Sequence, residues 1–222
     1  MTLSDRRNRD DLAQASQEKL VLAARLGDLV SFDELVRRFR KAVTTVAETI
    51  LGNYHSAEDV TQEVFLLAFK ALSQLEDSSN FGAWLYAITR RRARTVAQQD
   101  GRSEHYEPSN LDCFLLERSA ELIKPQVAAQ PLEALVHREE LANITLALSQ
   151  LPEAYQVILR LRYYEEWPVN RIADFLSLPI TTVKWRLHHG RHLLRRRVET
   201  SSMETSSAEP IPGGRSKWKN KT

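Results

Sequence analysis

A chain of 222 residues, 42% hydrophobic and 27% charged, has an ordinary globular composition and the length of one domain or two small ones. No apolar run approaches the roughly 20 residues of a membrane helix, the polar start Met1 to Asp11 lacks a signal-peptide stretch, and the lone Cys113 excludes an internal disulfide and a structural zinc site. We therefore expect a cytosolic protein with no membrane insertion, no metal and no cofactor. The net charge of +2 is uninformative, but its distribution is not. Ser177 to Val198 holds Lys184, Arg186, Arg191, Arg195, Arg196 and Arg197 with three histidines and no acid. A second basic cluster is Arg90, Arg91, Arg92 and Arg94, whereas Ser56 to Glu63 carries Glu58, Asp59 and Glu63 without a base.

With seven glycines and apolar residues recurring at three and four, the chain reads as all-α. A first helix spans about 17–26 and stops at Gly27. Ser31 with Glu34 has capping-box spacing, and the next helix places Phe32, Leu35, Val36, Phe39, Val43, Val46, Ala47 and Ile50 on one stripe ending near Gly52. Ser56 with Asp59 repeats the cap signal. There Val60, Val64, Leu67, Ala68, Ala71 and Leu72 give a buried face up to about Leu75, and Asp59, Gln62, Glu63 and Phe69 give a mixed face suited to a protein partner. A polar loop, Glu76 to Asn80, leads with Asn80 as N-cap into a helix bearing Phe81, Trp84, Leu85 and Ile88, which then turns basic; Trp84 is read either as packing or as the border of a base pocket.

Periodicity fails over 101–131, a linker whose Cys113-Phe114-Leu115-Leu116 stretch is apolar enough to dock on something; the cysteine reads as inert. Pro131, Pro152 and Pro168 suit first helical positions, which gives helices at about 132–149, 153–164, 168–176 and 180–197. Residues 199–222, Ser/Thr-rich and then basic, are expected to be a disordered tail, and 1–16 an N-terminal extension.

A helix-turn-helix needs a small residue at the helix crossing, a tight turn and a branched anchor on the second helix, and Ala173, Ser177 and Val183 have that spacing. Glycine would suit the turn better than Ser177, since a left-handed backbone costs about 1 kcal/mol more for a residue with a Cβ. Outward on the second helix stand Thr181, Thr182, Lys184, Trp185, Arg186, His188, His189 and Arg191, with donors for phosphates and base edges.

Two blocks in order complete the reading. The segments EKLVLAARLGDLVSFDELVRRFR, HSAEDVTQEVFLLAFKAL and FGAWLYAITRRRAR resemble the sigma-two domain of the extracytoplasmic-function (ECF) sigma factors of bacterial RNA polymerase. LSQLPEAYQVILRLRYYEEWPVNRIADFLSLPITTVKWRLHHGRHLLRR resembles their sigma-four domain. The resemblance implies two small helical domains, at 17–100 and 132–198, joined by a flexible linker. It implies that Asp59, Gln62 and Glu63, with Phe65 and Phe69, meet the coiled-coil clamp helices of the largest subunit of core polymerase. The loop before Phe81 with Asn80 and Trp84 would capture a flipped base of the minus-10 strand, Arg90, Arg91 and Arg94 would hold phosphates, and Thr181 to Arg191 would read minus-35 duplex. Promoter DNA and core polymerase are the implied partners, with an anti-sigma factor as a further one, and no catalytic residue is implied.

Departures from the family pattern are local. Arg91 and Thr95 stand where asparagine and aspartate are common, so minus-10 binding is expected to lean on phosphates. Trp185 replaces a small polar residue and His189 an arginine, so an unusual upstream element is expected, read partly through apolar contact with thymine methyls. The adjacent histidines read as phosphate contacts or as a pH sensor. Two other readings stay open from residues alone: an operator-binding helix-turn-helix regulator acting without polymerase, and an enzyme with an appended DNA-binding domain. The second lacks any phosphate loop, metal cluster or nucleophile-base motif.

Overall fold

The computed structural model describes residues 12–100 and 141–206, and within them every regular element is helical. The first bundle comprises α1 (Gln17–Arg25), α2 (Leu29–Leu51), α3 (Tyr54–Ala71) and α4 (Phe81–Gln99), with 3₁₀ turns at Leu72–Gln74 and Ser78–Asn80 before α4. The second comprises α5 (141–149), α6 (Glu153–Tyr163), α7 (Val169–Leu176) and α8 (Ile180–Ser206). The expected linker with its Cys113 to Leu116 stretch, the start of the helix expected from 132, and the end of the tail lie outside the described residues. The expected disordered tail begins too early: α8 runs on to Ser206 without a break.

The starts of α2 and α3 are set by side chains in extended backbone, one turn earlier than the sequence signals suggest. The Asp28 carboxylate accepts from the Val30 N–H at 3.1 Å, and the Asn53 amide oxygen accepts from the Ser56 N–H at 3.0 Å. Ser31 and Ser56 are therefore not the N-caps. Ser31 is already helical, and its hydroxyl donates to Asp28 at 2.5 Å. An N-cap is decided by which polar residue leaves helical dihedrals, and residue order alone does not distinguish Asp28 from Ser31. At the other end of α2, Gly52 takes a left-handed φ of 65° and its N–H closes on Glu48 O at 2.8 Å.

The core of the first bundle is α2, whose stripe of Leu35, Phe39, Val43, Val46 and Ala47 is enclosed by α1, α3 and α4. Each of the larger side chains, Leu35, Phe39, Val43 and Val46, contributes about 1.5–3 kcal/mol by leaving water. On α3 the expected stripe needs correction: Val60, Val64 and Ala68 are buried, but Leu67 is exposed, and Phe65 faces inward. The second bundle closes around Ile158, Leu161, Ile172, Val183 and Leu187, and its turn residue Ser177 adopts φ 52° and ψ 49°, the left-handed geometry expected to strain a residue with a Cβ.

The two bundles share one continuous core. Phe39 of α2 lies 5.5 Å from Phe81, and 6.0 Å from both Trp167 and Phe175 of the second bundle, ring centre to ring centre. Beside this cluster, Arg160 of α6 pairs with Glu48 of α2 at 3.4 Å, both side chains 3% exposed. Thr45 donates to Glu165 at 3.0 Å, and Arg171 donates to the Arg38 carbonyl at 2.9 Å while stacking 3.8 Å above Trp167.

Candidate nucleic-acid interface

Three surfaces hold the residues singled out by sequence. The first lies between α2 and α3, where Leu29, Phe32, Val36, Arg40, Thr61, Gln62, Phe65, Leu66 and Phe69 enclose an open apolar groove of about 440 Å³. Phe69 stands edge-on to Phe32 at 5.0 Å and is 43% exposed, while Leu66 is 61% exposed. Leu26, Leu29, Val30 and Leu67 are exposed as well, an apolar surface beyond what scattered residues require. Gln62 lines the groove, and Asp59, one turn earlier on α3, is exposed beside it. Glu63 is turned away, since Arg92 of α4 donates to its carboxylate and, by that hydrogen bond, holds the carboxyl below its ordinary range. Phe65 is buried and reaches the groove only from its floor. Sequence reading missed Leu29 and Leu66 because helical periodicity marks a buried face but does not report which apolar residues fall outside it.

The second surface is the loop before α4 and the outer face of that helix. Asp77 organises the loop: its carboxylate accepts from the Ser79 N–H at 2.9 Å, the Ser79 hydroxyl at 2.7 Å and the Asn80 amide at 2.8 Å. The Ser79 hydroxyl and then its N–H hold the Asp77 carboxyl below its ordinary value, and the Asn80 side chain does not cap α4 as expected. Trp84 is half-buried against Phe81 at 5.9 Å. Farther along α4, Arg90 and Arg94 are partly exposed and already engaged: they donate to Glu153, at the start of α6, at 3.2 and 3.1 Å. Arg91 is exposed and makes no ion pair among the described residues. Burial raises the Tyr86 hydroxyl above its ordinary range; Arg90 opposes this shift, Glu153 adds to it, and Arg94 and Arg186 oppose it.

The third surface is the start of α8. At 100° per residue, Val183, Leu187 and Gly190 point into the bundle, and Thr181, Trp185, His188 and His192 form the outermost ridge. Lys184 and Arg191 flank this ridge on one side, and the half-buried Thr182, Arg186 and His189 on the other. Trp185 is 57% exposed, yet it is not loose: its ring stacks on His189 at 5.1 Å and 6°, and Tyr155 of α6 backs both rings at 6.4 and 5.6 Å. His192, on the ridge, is absent from the sequence-based set.

Comparison with known proteins bears on both halves in order. The family model described as Sigma-70 region 2 matches residues 35–102, and Sigma-70, region 4 matches residues 141–194, together more than half of the chain. The chain is an ECF RNA polymerase sigma factor. It is 27% identical over 184 residues to the ECF RNA polymerase sigma factor SigW of Bacillus subtilis, a match covering 82% of this chain and 96% of that one. It is 27% identical over 190 residues to the ECF RNA polymerase sigma-E factor of Escherichia coli strain K12, covering 84% and 96%. The fold is that of CnrH, solved in complex with the cytosolic domain of CnrY, with a TM-score of 0.52 at 20% identity over 86% of this chain and 99% of that one.

As an alternative sigma factor, the protein directs transcription together with RNA polymerase at promoter DNA, and the operator-binding alternative is not favoured. Sigma factors are transcription initiation factors, and no helix among the described residues is long and apolar enough to cross a membrane.

Proposed function

We propose that residues 17–100 carry the polymerase-docking and minus-10 functions and residues 132–198 the minus-35 function, and that the sigma factor works in the cytoplasm by binding alone, with no chemical step of its own. The open groove between α2 and α3 carries this reading: it offers a large apolar face bordered by Gln62 and Arg40, with the exposed Asp59 one turn before Gln62 on α3. Phe69, Leu66 and the floor provided by Phe65 supply desolvation energy, and the Asp59 carboxylate with the Gln62 amide orients a coiled coil such as the clamp helices of the largest polymerase subunit. Glu63 acts indirectly, by fixing α4 through Arg92. A regulator that binds an operator alone has no use for such a face. An anti-sigma factor would bury the same groove in competition with polymerase.

At the minus-10 element, the loop organised by Asp77 presents Asn80 to an unstacked base beside the half-exposed edge of Trp84, while Arg90, Arg91 and Arg94 hold the strand by its phosphates. At minus-35, Trp185 presents a rigid apolar plate suited to thymine methyls, and Thr181, Thr182, Lys184, Arg186, His188, His189 and Arg191 serve phosphates and base edges. The testing experiment is in-vitro transcription with purified core polymerase, this protein and genomic fragments. Discrete starts sharing two upstream elements are expected; tight duplex binding without protein-dependent starts would return the reading to an operator-binding regulator.

A further inference from the structure

We infer that Tyr155, which lies outside the recognition helix, is a specificity-determining positioning residue: with His189 it locks the Trp185 ring into one orientation, and the locked ring is what lets α8 read a thymine methyl. The inference deepens the minus-35 reading proposed above and rests on it. A tryptophan on a bare helix surface samples several staggered rotamers, so its ring has no fixed plane to offer a base. Trp185 is 57% exposed, yet its ring is held from behind. That ring and the ring of His189, one turn on, are parallel to within 6° at 5.1 Å. The Tyr155 ring meets the two at 48° and 46°, with centres 6.4 and 5.6 Å away, so a single ring braces the pair as a unit.

The brace is itself held in place. Tyr155 sits in the first turn of α6, and its buried neighbour Gln156 donates to the carbonyls of Ser149 and Leu151 at 2.8 and 2.7 Å, which ties that turn to the connection from α5. Opposite it, α8 carries Gly190. A Cβ there would stand 3.4 Å from Tyr155 Cδ1 and 3.2 Å from Leu159 Cδ1, so the missing side chain is the room that lets the two helices approach and brings Tyr155 beside the stack. The magnitudes show why the brace decides specificity. Burying one methyl group is worth about fourfold in affinity, whereas ordering one free side chain on binding costs about two- to tenfold. A tryptophan that had to be ordered on each encounter would forfeit what the methyl supplies, and a ring already fixed keeps it.

The test uses holoenzyme, reconstituted from the full chain and core polymerase, on a promoter duplex found by transcription in which each minus-35 thymine is replaced in turn by deoxyuridine. Wild type should bind about fourfold more weakly at one substituted position, where a single methyl is lost. Tyr155→Leu should erase that difference and bind the thymine duplex about two- to tenfold more weakly, with unchanged affinity for a duplex of scrambled minus-35 sequence, where phosphate contacts dominate. Tyr155→Phe, which keeps the ring, should restore the difference. In the free full chain labelled with fluorotryptophan, the fluorine resonance of Trp185, identified by its absence from Trp185→Phe, should move in Tyr155→Leu, while that of the core residue Trp167 stays in place and reports an intact fold. Tyr155→Leu retaining the fourfold difference would overturn the inference and leave the minus-35 reading intact, and so would a Trp185 resonance that ignores the substitution. No thymine-dependent difference at any position in wild type would overturn it as well, and equal affinity for promoter and scrambled duplex would take the minus-35 reading with it.

Discussion

Replacing Glu48 with Gln is the sharpest perturbation of the contact between the bundles. At 3.4 Å from Arg160 and an effective dielectric of 20, the charge attraction is about 5 kcal/mol. Desolvation of two ions offsets most of it, so the intact pair is worth little net, but an Arg160 left buried without its carboxylate should cost about 3–5 kcal/mol. The chain has a cheaper escape than unfolding, because separating the bundles hydrates Arg160. With Cys113→Ser and dyes on Ser73→Cys and Arg195→Cys, both exposed and one on each bundle, we therefore expect Glu48→Gln to lose energy transfer between the dye pair at urea concentrations where far-UV circular dichroism still reports intact helices. The double variant Glu48→Leu with Arg160→Met, which removes both charges, should regain wild-type transfer. If the single variant keeps wild-type transfer and an unchanged urea midpoint, the argument from buried charge is wrong.

Leu66→Asp should leave the melting temperature within a few degrees of wild type, because its side chain is exposed, and weaken binding to core polymerase about tenfold or more in a fluorescence titration. Ser177→Gly should stabilise the protein by about 0.5 kcal/mol in urea denaturation, the relief of its left-handed strain outweighing the greater chain entropy of glycine. Hydrogen bonding to Arg37, and then to Arg38, holds the Glu34 carboxyl below its ordinary value of 4.5; its stabilising effect is full above pH 4.5 and is lost as pH falls through the depressed folded value. The stability gap between wild type and Glu34→Gln, read by denaturation from pH 7 downward, should accordingly close only in that acid range. For duplex promoter DNA, Trp185→Ala should abolish the affinity difference, about fourfold, between thymine and uracil at one minus-35 position, a difference worth one buried methyl group; no thymine-dependent difference in wild type would refute the apolar contact.

Much of this protein is written locally. The all-α class follows from periods of three and four, the helix-turn-helix from Ala173, Ser177 and Val183, and the exposed ridge of α8 from the angular spacing of Val183 and Leu187. The two-block resemblance follows from contiguous segments for the same reason, since each domain's motif lies within a few turns of chain. Tertiary structure alone decided the rest. Leu66 and Phe69 became a groove wall and Phe65 its floor only when α2 crossed α3, because an amphipathic pattern names two faces but not their neighbours. Glu153 looks like an ordinary acid at a helix start, and Arg90 and Arg94 like free phosphate ligands. Their pairing spans 63 and 59 residues, and Arg160 meets Glu48 over a longer stretch still. Such pairings depend on the path of the whole chain, which no local spacing encodes.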